Sequence, residues 1–173
     1  MEKRHDRKKY SDRRLQFASA EMLYGTGVLS QDVVRADKIR AVLERLYSIN
    51  VIDGVPIVVE GKMDRQALYQ LGINGEVVVL HRKGGFYEFA EKMHTYYESL
   101  VLLLDWDEKG EILQSQVGSL LSGLWEEFAP IRESLKNLCQ KDISDVQSIP
   151  SLMKRLAGTE VVVSQGFYER YSL

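Results

Sequence analysis

The stretch Val101-Leu102-Leu103-Leu104-Asp105-Trp106-Asp107-Glu108-Lys109-Gly110 constrains the fold of this chain more than any other. With Leu100 before it, the apolar run suits a strand buried on both faces, and it breaks into acid at its carboxyl end. Open α/β sheets bind ligands beyond the carboxyl ends of their strands, so these acids stand where chemistry is expected. If the chain stays extended through Trp106, Asp105 and Asp107 point to one side and the indole to the other. Two converging carboxylates repel each other, and a divalent cation neutralises them at least cost. A polar turn that caps the following helix is the other reading of the same residues.

A second stretch, Val55-Pro56-Ile57-Val58-Val59-Glu60-Gly61-Lys62-Met63-Asp64, repeats the pattern. A short β-branched run ends in a carboxylate, and a glycine leads into a helical spacing carried by Met63, Ala67, Leu68 and Leu71. Gly61 allows a tight turn, and Lys62 and Asp64 open a helix whose free N–H groups favour anions. The plain alternative makes Glu60 a helix cap and Lys62 a solvated surface group.

A third run, Glu76-Val77-Val78-Val79-Leu80, ends in His81-Arg82-Lys83-Gly84-Gly85. Two cations before paired glycines suit a phosphate, and they equally suit a simple basic loop. The GxxxxGK[ST] and GxGxxG patterns are absent. His81 reads as a strand-end hydrogen-bonding residue, and His94 sits on a helical pattern with no ligand-spaced partner. Helical patterns follow each of the three strands, at 63–71, at 86–94 and from Leu113 to Phe128, giving β-α-β-α-β-α and a parallel sheet by connection length.

Around this centre the chain reads as helical. Leu15, Ala18 and Met22 predict a short helix, and Ser30 caps a longer one from Gln31 to Ser48, striped by Val34, Ile39, Leu43 and Leu46. Helices follow through Ile131, Leu135 and Leu138 and, after Ser144 or the Pro150 turn, through Leu152, Met153 and Leu156 to Gly158, with a last strand expected at Glu160-Val161-Val162-Val163. The tail aromatics Phe167, Tyr168 and Tyr171 suit docking to a surface or stacking on bases. The organisation expected is a basic arm with N-terminal helices over 1–50, a catalytic core over 51–128, and C-terminal helices with the last strand over 129–173.

Composition excludes several classes. At 173 residues, 45% hydrophobic and 28% charged, the chain suits a soluble globular protein. Its one cysteine, Cys139, excludes an internal disulfide and a cysteine-rich zinc site and reads as an inert helix-face residue. No apolar run approaches a membrane span and no secretory leader pattern opens the chain, so a cytoplasmic protein is expected. The net charge of −2 divides unevenly: residues 1–14 carry seven basic and three acidic side chains, or +4, which leaves −2 − 4 = −6 for the rest. A body of that sign needs a local cationic patch to meet a phosphate backbone, and the basic arm is either that patch or a solubilising terminus.

The pairing of Glu60-Gly61-Lys62-Met63-Asp64 with Asp105-Trp106-Asp107-Glu108-Lys109-Gly110-Glu111 resembles the Toprim domain of topoisomerases, bacterial-type primases and several nucleases. Its EGKxD form looks most like the ribonuclease that matures 5S ribosomal RNA, and the compact whole is similar to small stand-alone archaeal Toprim proteins. The resemblance spans about residues 53 to 125. It implies a Toprim- or Rossmann-like, mostly parallel α/β sheet flanked by helices, with N-terminal and C-terminal helical additions. It also implies that Glu60 binds metal or serves as acid or base, and that Asp105 and Asp107 hold Mg²⁺, with Mn²⁺ as a substitute. Gly110-Glu111 fits the DxDxxGE form seen in part of the family. Trp106 is a bulky departure between the aspartates, and the absence of a topoisomerase tyrosine domain or primase zinc module argues against either full activity.

The residues themselves agree with phosphoryl transfer. Mg²⁺ held by carboxylates offsets charge developing on phosphate oxygens, and without a fixed nucleophile activated water is the attacker. Glu60, Asp105 and Asp107 are the candidate catalytic and metal residues, Lys62, Arg82 and Lys83 the candidate phosphate contacts, and Asp64 and Glu111 secondary candidates. The leading expectation is Mg²⁺-dependent phosphodiester hydrolysis or related phosphoryl transfer on RNA or DNA; the alternatives are a non-catalytic nucleic-acid or ribonucleoprotein binding module and an enzyme on a small phosphorylated metabolite or nucleotide.

Overall fold

The computed structural model describes residues 30–80, 84–158 and 161–163. The basic arm, the helix expected around 15–23, His81, Arg82, Lys83, Glu160 and the aromatic tail lie outside the described residues.

Helix α1 (Gln31–Tyr47) starts where Ser30 Oγ accepts the Val33 amide at 3.3 Å, which satisfies one of the donors a helix start leaves open. Its buried residues, Ala36, Ile39, Leu43 and Leu46, recur at three- and four-residue steps, and one fully buried leucine contributes about 2 kcal/mol. A π-helical turn (Ser48–Ile52) then leads to strand β1 (Ile57–Val59). Asn50 is buried in that turn and donates Nδ2 to the carbonyls of Val55 and Glu76, both at 2.9 Å, joining the approaches to the first two strands.

Helix α2 (Lys62–Gln70), strand β2 (Val77–Val79), helix α3 (Gly85–Tyr96), strand β3 (Val101–Leu102) and helix α4 (Glu108–Leu120) follow in alternation. The three strands are parallel in the order β2-β1-β3, with Ile57 opposite both Val77 and Val101. Residues of alternate parity enter opposite cores, as the strand period requires. Ile57, Val59, Val101 and Leu103 join α1 and the C-terminal helices α5 (Ala129–Cys139) and α6 (Ile149–Ala157). Val58, Leu102 and Leu104 join Phe89, Met93, Leu113 and Val117 of α3 and α4. Cys139 is fully buried at the end of α5, and burial pushes its thiol up to about 11, which keeps the thiolate scarce at neutral pH.

The expected sheet-dominated Toprim- or Rossmann-like fold is not what forms. The described chain is predominantly helical around a small, open, three-stranded sheet. The reason lies in how far each apolar run pairs. Leu100 to Leu104 are all buried, yet the strand is only Val101–Leu102 with one further ladder bond from the Leu103 amide to the Val58 carbonyl, because the Leu100 amide goes to the Leu124 carbonyl and the Leu104 carbonyl to Arg132 of α5. Val161–Val163 likewise adds no strand: it runs beside the end of α2, where the Val163 amide donates to the Leu71 carbonyl at 2.8 Å. The single long helix expected from Leu113 to Phe128 also breaks, at Leu121, and a 3₁₀ turn (Glu126–Phe128) leads into α5.

Among the described residues no helix is long and apolar enough to cross a membrane.

Candidate functional site

The carboxyl ends of β1 and β3 are adjacent because those strands pair directly. Glu60 leaves β1 there, and its Oε1 receives Lys109 Nζ at 3.0 Å. One turn into α2, Asp64 is buried, and its Oδ2 accepts the Gly61 amide at 2.8 Å, fixing the start of the helix. Asp105 follows β3, and its Oδ1 accepts the Val146 amide at 3.0 Å.

Val146 belongs to the connection between α5 and α6, and Trp106 holds that connection in place. The Trp106 indole is buried, its Nε1 donating to the Ile143 carbonyl at 2.8 Å while its backbone amide donates to Ser144 at 2.9 Å. The loop so pinned brings up a fourth carboxylate, Asp145, whose Oδ1 accepts the Ser148 amide at 2.8 Å.

The electrostatics report how close these groups are. Burial pushes Asp105 up to about 7; the Val146 hydrogen bond works against the rise, and the charges of Asp64, Glu60 and Asp145 add to it. Asp64 is raised chiefly by its own burial, with backbone hydrogen bonds from Gly61 and Gln147 opposing and Glu60 and Asp145 reinforcing. Glu60, Asp64, Asp105 and Asp145 therefore form one electrostatic cluster.

Asp107 and Glu111 are engaged elsewhere. The chain turns after Trp106, and Asp107 caps α4, its Oδ1 accepting the Gly110 amide at 2.6 Å. Glu111 pairs with Arg132 Nη2 and Lys136 Nζ, both at 2.9 Å. Its partial burial acts upward, but those two cations hold its carboxyl below the usual range. Lys62 is exposed at the first position of α2, while Arg82 and Lys83 fall outside the described residues. An open groove of about 540 Å³ lies beside the rim, lined by Phe86, Asp107, Lys109, Ile112 and Gln116 among others.

Two contributors escaped the sequence reading. Asp145 lies in a polar loop that no motif marks, although its spacing to Ser148 suits a side chain closing a turn. Arg132 left a clearer trace, a charge standing in the stripe it shares with Leu135 and Cys139 on the buried face of α5. Its side chain is 2% exposed.

This geometry gives no support to the preformed magnesium centre of a nuclease expected from Glu60, Asp105 and Asp107. Among the described residues no group of three or more His, Cys, Asp or Glu side chains is arranged to hold a metal ion. Asp107 turns aside to cap α4, and one oxygen each of Asp105 and Glu60 is engaged by the Val146 amide and by Lys109.

Gly110 ties the start of α4 to this rim. A Cβ built on it would stand 2.3 Å from the Asp105 carbonyl oxygen and 2.6 Å from its carbon. Alanine for glycine inside a helix ordinarily stabilises by about 0.5–1 kcal/mol. Here Gly110→Ala is expected to destabilise by about 2–3 kcal/mol, because the obstruction is backbone with little room to yield. Urea unfolding of the variant checks the sign, and a gain in stability would show that the contact is not close.

A UPF0292 protein of Methanosarcina barkeri is 35% identical over 108 residues, spanning 60% of this chain and 72% of that protein. A UPF0292 protein of Pyrococcus furiosus is 28% identical over 120 residues, spanning 69% of this chain and 87% of that protein. A solved structure of a protein from Aquifex aeolicus superposes with a TM-score of 0.48 at 26% identity, covering 65% of this chain and 95% of that one. No family model matches. The resemblance to Toprim proteins and to the 5S maturation ribonuclease is corrected by these relatives, which carry a different family name that states no activity.

Proposed function

The chain belongs to the UPF0292 family, and we propose that its acidic rim is a phosphoryl-transfer site for a small phosphorylated metabolite or nucleotide that arrives with Mg²⁺ or Mn²⁺ on its phosphate oxygens. The observation that carries this reading is the gathering of Glu60, Asp64, Asp105 and Asp145 at the carboxyl edge of β1 and β3. Folding alone gains nothing from carboxylates placed close enough to raise the pKa of Asp105 and Asp64, and such clusters concentrate at functional sites.

A bare phosphate is repelled by this rim, and a long phosphate backbone is further disfavoured by the charge of −6 on residues 15–173. A cation already shared with the substrate reverses the sign of that interaction. Mg²⁺ is commonly bound through one or two carboxylates plus substrate phosphates, so no protein cage of three acids is required. When bound, the ion supplies charge stabilisation at the phosphorus centre. Lys62 and Lys109 are the cations on hand for the remaining phosphate oxygens, and Asp105 is the group that takes or gives a proton near neutral pH. The groove beside Lys109 offers Phe86 and Ile112 to the rest of the ligand.

The test is turnover of a panel of phosphate monoesters, diesters and nucleotides with and without Mg²⁺. Mg²⁺-dependent turnover is expected, with kcat/KM falling at least about 100-fold in Asp105→Asn. No turnover across the panel, or a variant as fast as the parent, contradicts the reading. Turnover confined to RNA or DNA would keep the chemistry and replace the substrate class.

A further inference from the structure

We propose that Arg132 is the positioning residue of the rim, acting through the backbone of Leu104 and Asp105. β3 lies at the edge of the sheet, and its pairing with β1 ends where the Leu103 amide donates to the Val58 carbonyl at 2.9 Å. Beyond that point the Leu104 and Asp105 carbonyls have left the ladder and lie in or near the core, where a missing partner is expensive. Arg132 reaches both from α5: Nε donates to Leu104 at 2.8 Å and Nη2 to Asp105 at 2.6 Å. The guanidinium thus does for these carbonyls what a fourth strand would do.

The charge of the group is matched on its outer side. Nη2 also meets Glu111 at 2.9 Å, Nη1 meets Glu133 at 3.2 Å, and Lys136 shares Glu111 at 2.9 Å. An arginine that is 2% exposed is tolerated because its fork meets two carbonyls and two carboxylates at once. Lysine has the charge but not the planar fork, so it cannot serve both carbonyls in this geometry. The consequence falls on Asp105, whose side chain meets Val146 only while its backbone is held in place. That clamp sets the aim of the carboxylate toward any ligand on the rim, so its effect on ligands rests on the function proposed above.

The experiment pairs Arg132→Lys with site-resolved amide exchange and with Mn²⁺ binding to the protein alone, followed by electron paramagnetic resonance. Val146 exchange is expected to rise about tenfold or more while the Leu103 amide inside the ladder stays protected, and Mn²⁺ affinity is expected to fall about tenfold. Val146 exchange unchanged, or Val146 and Leu103 accelerating together as in global loosening, overturns the clamp. If the parent itself binds no Mn²⁺ in the absence of a phosphorylated ligand, the cation comes only with that ligand, as the proposed function has it, and the amide result alone decides the clamp. Should the lysine variant not fold, the unmutated protein decides it: the Arg132 Nε–H resonance is expected to persist at neutral pH under the Leu104 carbonyl. Exchange as fast as at surface arginines overturns it.

Discussion

Asp105→Asn is expected to make the protein more stable at pH 8, by about 2–3 kcal/mol, and to leave it nearly unchanged at pH 4. An isosteric amide keeps an oxygen for the Val146 amide, so the hydrogen bond at 3.0 Å can survive the change. What disappears is a charge that burial disfavours and that faces Asp64, Glu60 and Asp145. The sign follows from linkage. A carboxyl whose folded-state pKa is about 7, against an ordinary value of 3.8, favours folding only while protonated. That contribution is fully present below about 4 and is lost as pH rises through about 7. Each pKa unit corresponds to about 1.4 kcal/mol, and partial solvent access reduces the full shift to the figure expected. Asp64 is displaced in the same direction, so pairing Asp105→Asn with Asp64→Asn is expected to flatten the neutral-pH loss further. Urea unfolding of parent and variant at both pH values measures the difference. A variant less stable at pH 8 would show that Asp105 charge is favourable in the fold.

Trp106→Ala is expected to cost about 3–5 kcal/mol, the range for truncating a large buried aromatic. More than packing is lost. The indole holds the Ile143 carbonyl at the loop that delivers the Val146 amide and Asp145 to the rim, while the backbone bond from residue 106 to the Ser144 carbonyl is available to any side chain. Trp106→Phe separates the two contributions. Phenylalanine keeps most of the apolar surface but leaves the Ile143 carbonyl without its donor, for an expected cost of about 1–2 kcal/mol. Denaturant midpoints of the two variants give the comparison. Equal losses would mean that the hydrogen bond contributes little, and an alanine variant within about 1 kcal/mol of the parent would mean that the tryptophan does not organise the loop.

Much of the local structure was legible because short-range chemistry decides it. The β-branched runs at 57–59 and 77–79 became strands, Ser30 capped its helix, and Gly158 ended α6 in the left-handed region at φ 72°. The fold class was not legible in the same way. Five consecutive buried residues at 100–104 look the same in sequence however many of them pair, and here the Leu100 amide and the Leu104 carbonyl find partners outside the sheet, in Leu124 and Arg132. The relation between Asp105 and Asp107 turned on Trp106. Strand alternation puts both acids on one side only if the chain continues straight, whereas burial of the indole against the 143–144 carbonyls accompanies a turn and leaves Asp107 as a helix cap. Glu60, Asp64 and Asp105 were named from their positions after β-runs. Asp145 and Arg132 reach the same place through tertiary contacts from the far end of the chain, which strand spacing cannot encode.

The central claim is that one rim of this small sheet sets Glu60, Asp64 and Asp145 close enough to Asp105 to raise its pKa. The most direct measurement is a carboxyl ¹³C NMR titration of the Asp105 side chain in the intact protein. The account predicts a midpoint near 7 that moves down when Glu60, Asp64 or Asp145 is neutralised. A midpoint at the ordinary aspartate value near 4, unmoved by those substitutions, would contradict it.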